Sequence, residues 1–202
     1  MEKYIFIQAR MSSQRLPGKV LLPFRGSTVL KFLYDKCKIV SGIKKVVVLT
    51  SKRRDDDEIE RLCIANNMLV FRGSLSNVLE RFQDAAKFFC KSDDYVIRLC
   101  ADSPLIDQEL LSQFANTISS KAYFYSTRIL KNNAFFSTTG KGNNIDAIRV
   151  FDLLKLRGET ELIREHIIYG FDYNENFNLF ESSKEYCDDI CIDTLADYQR
   201  LS

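Results

Sequence analysis

The chain has 202 residues, of which 46% are hydrophobic, 28% charged and 12% aromatic, a balance typical of an ordinary globular domain. Lysine and arginine exceed aspartate and glutamate by only 29 to 27, which argues against wholesale nucleic-acid binding. No apolar run approaches the ~20 residues of a bilayer-spanning helix, and the apolar stretch of MEKYIFIQAR is too short for a signal-peptide core. We therefore expect one cytoplasmic domain that does not enter a membrane.

Four short apolar segments, rich in β-branched and aromatic residues, predict buried strands. They lie at residues 4–9, 45–50, 69–71 and 95–99. The stretches between and after them carry apolar residues near helical spacing and predict helices. These helices lie at residues 28–40, 55–66, 75–90 and 107–119. Strands that alternate with helices of this length predict a largely parallel sheet that is covered on both faces.

The pattern is less regular after about residue 121. A strand is predicted at residues 123–128, and a turn-rich loop with asparagines and glycines follows between residues 132 and 144. We expect this loop, which includes Asn133, to be a lid or a substrate-binding region. The later elements are predicted to be a helix, a strand, and a strand end leading into a final helix, at residues 159–169, 177–180 and 191–202.

Six cysteines could pair as disulfides, but a chain of this length without a signal peptide favours reduced thiols. They are Cys37, Cys63, Cys90, Cys100, Cys187 and Cys191. The close pair Cys187 and Cys191 lacks CxxC spacing, and the chain has a single histidine, so a structural zinc site is not expected.

The segment RMSSQRLPGK, directly after the first predicted strand, concentrates positive charge. Ligands of open α/β sheets bind at the carboxyl ends of the strands, which places this segment in the expected crevice. Arg10, Arg15 and Lys19 can neutralise a triphosphate, while Ser12 and Ser13 add hydrogen-bond donors. The segment is neither a GxGxxG motif nor a P-loop, which argues against dehydrogenases and kinases of those types. A solvated basic turn explains the composition equally well.

Acidic residues after predicted strands are candidate metal ligands. Asp102 lies just past the fourth predicted strand, where a carboxylate is well placed to hold Mg²⁺ beside a phosphate. Asp107, where the next helix begins, is more economically a helix cap. Asp193 is either a second metal ligand or a cap or surface acid, and Thr194 could itself cap the final helix. The acidic run at residues 55–58 is predicted to be a solvated helix N-terminus.

Five motifs resemble, in order and spacing, the spore-coat-polysaccharide type of cytidylyltransferase: QARMSSQRLPGKVL, VFRGSLSNVLERF, RLCADSPLID, REHI and IDTLADY. That group is related to the CMP-Kdo and CMP-acylneuraminate synthetases. The resemblance covers nearly the whole chain and implies an α/β fold, a GT-A-like three-layer sandwich with a mostly parallel, mixed central sheet. It also implies a single domain over residues 1–202, with a nucleotide-binding part at about 1–120 and an irregular acceptor-side or dimer region at about 121–202.

The resemblance further implies a reaction in which an acceptor oxygen attacks the α-phosphate of CTP, pyrophosphate leaves, and a CMP- or CDP-linked product forms. The implied acceptor is a sugar, a sugar acid or a polyol phosphate for a surface polysaccharide. The implied cofactor is Mg²⁺ and the implied assembly is a homodimer. Neither nucleic acid nor a membrane is an expected partner.

Each implied role belongs to particular residues of this chain. The nucleotide-binding residues are Ala9, Arg10, Met11, Ser12, Ser13, Arg15, Lys19, Arg72, Ser74 and Ala101, with Arg72 and Ser74 beside the nucleoside. The catalytic residues among and near them are Arg10, Arg15, Lys19 and Asp102. The metal ligands are Asp102 and Asp193. The acceptor-side residues are Asp146, Arg164, Glu165 and His166.

The chain also departs from the pattern it resembles. A glycine is usual where Ser12 stands, and residues 144–148 keep the aspartate of the family segment but lose its glutamate. His166 is the only histidine, and a lone histidine on a helix is more often a packing residue than a catalyst. Two other functions remain open: a GT-A-like glycosyltransferase that consumes a nucleotide sugar, and a nucleotide-binding regulator that has lost catalysis.

Overall fold

The computed structural model describes residues 1–132, 134–171, 177–186 and 188–202. Asn133, expected in the turn-rich loop, and Cys187, expected to be a reduced thiol, lie outside these described residues. The five described cysteines are free thiols, as predicted. None of the helices within the described ranges is long and apolar enough to span a membrane.

The strands and helices follow one another closely along the chain. The strands are β1 (Lys3–Gln8), β2 (Pro23–Phe24), β3 (Ser27–Thr28), β4 (Ile43–Ser51), β5 (Leu69–Gly73), β6 (Tyr95–Cys100), β7 (Phe124–Ser126), β8 (Arg128–Lys131), β9 (Ala134–Ser137), β10 (Asp146–Arg149) and β11 (Phe177–Leu179). The helices are α1 (Val29–Lys38), α2 (Asp57–Ala65), α3 (Val78–Phe89), α4 (Gln108–Thr117), α5 (Val150–Lys155), α6 (Glu161–Glu165) and α7 (Leu195–Leu201).

The central sheet has the strand order β11-β7-β10-β6-β1-β4-β5. Strands β6, β1, β4 and β5 are parallel neighbours. Strand β10 runs antiparallel to both β6 and β7, and β11 is parallel to β7. The predicted mixed, mostly parallel sheet is therefore confirmed, and its parallel half carries the ends of β1 and β6 side by side.

Helices cover both faces of this sheet, which explains why the central strands are apolar without alternation. In β1, Ile5 and Ile7 belong to the same buried cluster as Leu33 of α1. Phe6 points to the other face and packs against Phe82 of α3, with ring centroids 5.9 Å apart. Helices α1, α2 and α4 pack on the first face, and α3, α5 and α6 pack on the second, giving the expected three-layer α/β sandwich.

Side-chain caps start three of the helices that flank the sheet, α1, α3 and α4. The side chain of Thr28 caps α1, and that of Asn77 caps α3. The predicted cap Asp107 is confirmed, since its Oδ1 accepts hydrogen bonds from the backbone N–H of Glu109 and Leu110, both at 2.9 Å. These caps fix the helices at the edge of the sheet from which the loops of the cleft emerge.

Three predictions in the second half of the chain are wrong. The strand end expected at residue 191 is not formed, because residues 191–193 have irregular backbone and lead directly to Thr194, the cap of α7. The helix expected at 159–169 is divided, because the backbone of His166 (φ −119°, ψ 80°) leaves the helical region between α6 and a 3₁₀ turn at Ile167–Gly170. Strand β9 (Ala134–Ser137) lies within the turn-rich loop expected at residues 132–144 and pairs with β8, and β10 follows that loop. Strand β10 is stabilised by its pairing with β6 and β7, a long-range contact that the local sequence pattern does not reveal.

Candidate active site

A cleft of about 670 Å³ lies at the carboxyl ends of β1 and β6. Its walls come from the loop after β1, the loop after β6, the glycine-flanked turn before β10, the end of α6 and the segment before α7. A second cavity of about 780 Å³ lies beside α1 and contains none of the predicted site residues. Its lysines already have partners, since Lys31 pairs with Asp35 and Lys36 donates to the Ile106 carbonyl.

The loop after β1 is held in place by backbone hydrogen bonds. The N–H of Ala9, a fully buried residue, donates to the Leu49 carbonyl at 3.0 Å. The N–H of Gly18 donates to the Met11 carbonyl at 2.9 Å and so closes the loop. Gly18 has φ +71°, a left-handed conformation that glycine adopts without a steric penalty.

The buried carboxylate of Asp56 also holds the loop after β1 in place. Asp56 is 1% exposed, and its Oδ1 accepts from the N–H of Met11 at 2.8 Å. Its Oδ2 accepts from both the N–H and the hydroxyl of Ser51 at the end of β4. The prediction that residues 55–58 form only a solvated helix N-terminus is therefore wrong for Asp56, which ties the loop to the sheet.

Lys19 is the best-coordinated cation of the loop. Its Nζ lies 2.8 Å from Asp102 Oδ2, 3.0 Å from Asp193 Oδ1 and 2.7 Å from the Ile192 carbonyl oxygen. The residue is 7% exposed, which contradicts a solvated basic turn at this position. Burial lowers the pKa of Lys19, but the two carboxylates outweigh it and the pKa is raised, so the ammonium stays charged.

Asp193 gathers three cations around one carboxylate. Besides Lys19, it pairs with Arg15 and with Lys141, each at 3.0 Å. Burial acts to raise the pKa of Asp193, but the hydrogen bonds from Lys141 and Lys19 prevail and lower it to about 2.

The alternative that Asp193 caps α7 is wrong, because Thr194 is the cap and forms a capping box with Asp197.

Lys141 is a cleft residue that the sequence analysis missed. It lies between Gly140 and Gly142, which have φ +75° and +98° and allow the tight turn that aims it at Asp193. The hydrogen bond to Asp193 is the main reason that the pKa of Lys141 is raised. The sequence feature that could have predicted this role is a lysine between two glycines in a turn-rich loop.

The residues around Lys19 fit a divalent cation. Ligand atoms of Asp102, Cys191 and Asp193 lie within 4.8 Å of one another. The oxygens that surround the Lys19 ammonium are two carboxylates and one carbonyl, the hard donors that Mg²⁺ prefers. The thiol of Cys191 is not such a donor, because burial raises its pKa and keeps it protonated.

The opposite wall of the cleft holds the predicted acceptor-side residues. Asp146, Glu165 and His166 line it, and Glu165 Oε1 lies 3.6 Å from Arg10 Nη2. Arg164 does not line the cleft and instead donates to the Gly158 carbonyl at 2.8 Å. Burial, followed by the charge of Arg98, lowers the pKa of His166, so the imidazole is neutral at pH 7.

The remaining predicted residues divide between the cleft and its surroundings. Ser12, Ser13 and Ala101 line the cleft. Arg72 and Ser74 do not line it. The guanidinium of Arg72 is held on α2 by Asp57 at 2.6 Å and Glu60 at 2.7 Å, and Ser74 Oγ accepts from the N–H of Asn77.

Arg98 and Arg128 line the cleft although neither was predicted to be a site residue.

Comparisons with known proteins agree with this architecture. A family model described as "Cytidylyltransferase" matches residues 4–198. The spore coat polysaccharide biosynthesis protein SpsF of Bacillus subtilis is 30% identical over 208 residues, covering 96% of this chain and 82% of that protein. A solved cytidylyltransferase from Leptospira borgpetersenii serovar Hardjo-bovis is 31% identical with a TM-score of 0.86, covering 100% of this chain and 85% of that one.

A more distant structure shares the fold. The CMP:2-keto-3-deoxy-manno-octonic acid synthetase complexed with CTP is 18% identical, with a TM-score of 0.76. The match covers 100% of this chain and 97% of that chain. The three-layer arrangement thus recurs at a sequence identity too low to carry residue-by-residue roles.

Proposed function

This chain belongs to the cytidylyltransferase family, whose model matches residues 4–198, and we propose that it transfers CMP from CTP to a sugar, sugar acid or polyol phosphate with release of pyrophosphate. The single observation that carries this proposal is the meeting of the cationic loop with Asp102 and Asp193 in one cleft. The structure of a relative with the same fold is described as a complex with CTP, which supports the choice of nucleotide.

The chemistry is a substitution at phosphorus. An acceptor oxygen attacks the α-phosphorus of CTP, the bond from that phosphorus to the oxygen bridging the α- and β-phosphates breaks, and pyrophosphate departs with the bond's electrons. The acceptor proton is lost to solvent or to a group in the cleft. Positioning and charge neutralisation dominate such reactions, so a strong general base is not required.

The cations of this chain supply that neutralisation. The Asp193 carboxylate forms ion pairs with three of these cations, the ammonium groups of Lys19 and Lys141 and the guanidinium of Arg15. A triphosphate entering the cleft would compete for these cations and draw them from the carboxylate. Arg15, whose side chain is 64% exposed, reaches furthest into solvent and is best placed to meet the β- and γ-phosphates first.

Asp102 and Asp193 are the residues that would hold Mg²⁺. When bound there, the ion would neutralise developing negative charge on the phosphates. Lys19 lies between the same two carboxylates, so its ammonium keeps them compensated when they hold no other cation. Asp102 follows β6 and Asp193 lies in the segment before α7, and Lys19 links these two segments by pairing with both carboxylates.

The family resemblance also supports a homodimer in the cytoplasm as the working form. Light scattering of the purified protein tests the dimer, and a monomer that retains activity would overturn it.

Nucleotide binding tests the proposed function. CTP with Mg²⁺ should raise the melting temperature more than UTP, ATP or GTP does, and preferential stabilisation by UTP or ATP would overturn the assignment.

Arg15→Ala should weaken CTP binding by about 1.5–3 kcal/mol, the range for hydrogen bonds to charged groups, with a smaller effect on CMP. Arg53→Ala, which removes another largely exposed arginine, one paired with Asp55, is the control. An unchanged ratio of CTP to CMP affinity in Arg15→Ala would contradict the role of the loop.

A further inference from the structure

The cavity of about 780 Å³ beside α1 is a second space in which a ligand could bind, and we call it the α1 cavity. Its walls come from residues 25–28, one side of α1, the end of α2 and Gln108, the first residue of α4. It has no lining residue in common with the cleft. Its volume falls in the range of about 300–1,000 Å³ that is usual for small-molecule sites.

Two cations and an aromatic ring meet in this cavity. Arg25, Phe32 and Lys36 line it. The Lys36 Nζ lies 5.5 Å from the centroid of the Phe32 ring, and Arg25 lies 5.4 Å from that of Phe24. The two rings contact each other edge to face, with centroids 5.2 Å apart. The α1 cavity therefore presents positive charge on either side of an aromatic surface.

The charge of Lys36 is not balanced by an ion pair within the described residues. Its Nζ donates to the Ile106 carbonyl at 2.8 Å, which uses one of the three N–H donors of an ammonium. Burial lowers the pKa of Lys36, and the charge of Asp107 offsets this only in part. Asp35, the one acid among the described residues that line the cavity, pairs with Lys31 instead. Lys36 thus has donors left for an anion.

The turn that carries Arg25 does not itself favour arginine. Arg25 and Gly26 connect β2 to β3 with φ of +46° and +78°. Two-residue turns with positive φ at both positions favour asparagine, aspartate or glycine at the first, because other L side chains are strained there. The guanidinium donates to the Leu201 carbonyl at 3.2 Å and, in the part of the chain that the structure describes, forms no ion pair. Most of its five N–H donors are therefore available to a ligand.

Apolar side chains form the rest of the surface on which a ligand would lie. Phe32 and Leu62 are half-buried, and Ile39, just after α1, is 75% exposed. All three line the α1 cavity. A large aliphatic side chain this exposed gains from being covered by an apolar ring, and aromatic rings pack well against one another.

From these contacts we propose that the α1 cavity binds a small aromatic anion, a carboxylate or a phosphate carried on a flat ring. The anionic group accepts hydrogen bonds from Arg25 and Lys36, and the ring packs on Phe32. Arginine and lysine both bind carboxylates and phosphates, and the apolar surface selects the ring. The inference does not depend on the proposed function, because the α1 cavity and the cleft are lined by different residues.

The test measures the affinity of naphthalene probes by fluorescence titration. The chain has no tryptophan, so naphthyl emission is followed without overlap from indole. The probes are 2-naphthoate and 2-naphthyl phosphate, which separate a carboxylate from a phosphate, and 2-naphthalenemethanol as the neutral partner.

Two variants remove the cations of the α1 cavity and two serve as controls. Lys36→Met removes the ammonium, and Arg25→Asn removes the guanidinium while placing a residue that the turn favours. Lys38→Met removes an exposed lysine of the same helix that does not line the cavity. Arg15→Ala removes a cation of the cleft and tests whether the probe binds there instead.

We expect at least one anionic probe to bind more tightly than 2-naphthalenemethanol. Its affinity should fall at least about tenfold in Lys36→Met and about threefold in Arg25→Asn, whose side chain is the more exposed. Lys38→Met and Arg15→Ala should bind it as the parent does. Equal binding of anionic and neutral probes, an affinity that Arg25→Asn leaves intact, or a loss in Arg15→Ala as large as in Lys36→Met would overturn the inference. Because asparagine suits the turn, the result for Arg25→Asn stands even if Lys36→Met folds poorly.

Discussion

Replacement of Lys19 by methionine removes the ammonium that joins the two carboxylates of the cleft. In the parent, Nζ has three oxygen partners at 2.7–3.0 Å, and the side chain is 9% exposed. Methionine keeps similar length and apolar contacts but leaves Asp102 and Asp193 without their shared cation. We expect Lys19→Met to unfold at lower denaturant concentration than the parent.

The size of the effect follows from what remains around each carboxylate. Breaking a buried ion pair by removing one partner costs about 3–5 kcal/mol. Asp193 keeps Arg15 and Lys141, and the side chain of Asp102 is 26% exposed and can be hydrated. We therefore expect a loss near the lower end, about 3 kcal/mol, which corresponds to a fall in Tm of roughly 6–12 °C for a chain of this size.

Urea unfolding at pH 7 measures this loss, with Lys36→Met as the matched control. Lys36 is a partly buried lysine whose Nζ donates to one carbonyl, that of Ile106, so its replacement should cost less. Addition of Mg²⁺ should stabilise Lys19→Met more than the parent, because the variant presents two carboxylates without a competing ammonium. A Lys19→Met protein within about 1 kcal/mol of the parent, or no more destabilised than Lys36→Met, would refute the reasoning.

Asp102→Asn should lower the rate of cytidylyl transfer by at least ~100-fold while CTP still binds, and near-normal turnover would remove Asp102 from the site. Asp56→Ala should destabilise the protein by about 3 kcal/mol in urea unfolding, since it leaves the N–H of Met11 and two donors of the buried Ser51 without their acceptor; a loss under about 1 kcal/mol would contradict its anchoring role. Burial acts to raise the pKa of Asp107, but Lys184 and the α4 amides lower it, so its stabilising contribution is present above about pH 4 and is lost as the pH falls further. The stability difference between the parent and Asp107→Asn should therefore shrink between about pH 5 and pH 3, and a difference that grows on acidification would show the sign to be wrong.

Local chemistry made the first half of the chain predictable. The strand before Arg10 contains the apolar run YIFI, and the strand before Asp102 is apolar except for Arg98. The carboxyl ends of such strands meet at one edge of a parallel sheet. The side chain of Asp107 could be identified as a cap because it precedes a helical pattern directly. These inferences need only short-range sequence information.

The missed residues depend on contacts between distant segments. Asp56 looks in the sequence like one of several acids in a surface run, and the folded chain brings it the N–H of Met11 from the loop after β1 and the donors of Ser51 from the end of β4. Lys141 becomes a cleft residue because its turn folds back onto Asp193. Arg98 lies in a buried strand where a cation is unexpected, and its partner Asp146 is brought alongside by the antiparallel pairing of β10.

The central claim is that this cleft moves CMP, rather than a sugar, onto an acceptor. CTP radiolabelled at either the α- or the γ-phosphate is incubated with the protein, Mg²⁺ and a panel of sugar acids, sugar phosphates and polyol phosphates. We expect the α-label to appear in a new acceptor-linked product and the γ-label to appear in pyrophosphate, in equal amounts. Label that stays in CTP with every acceptor, together with sugar transfer from a nucleotide sugar by the same protein, would contradict the claim.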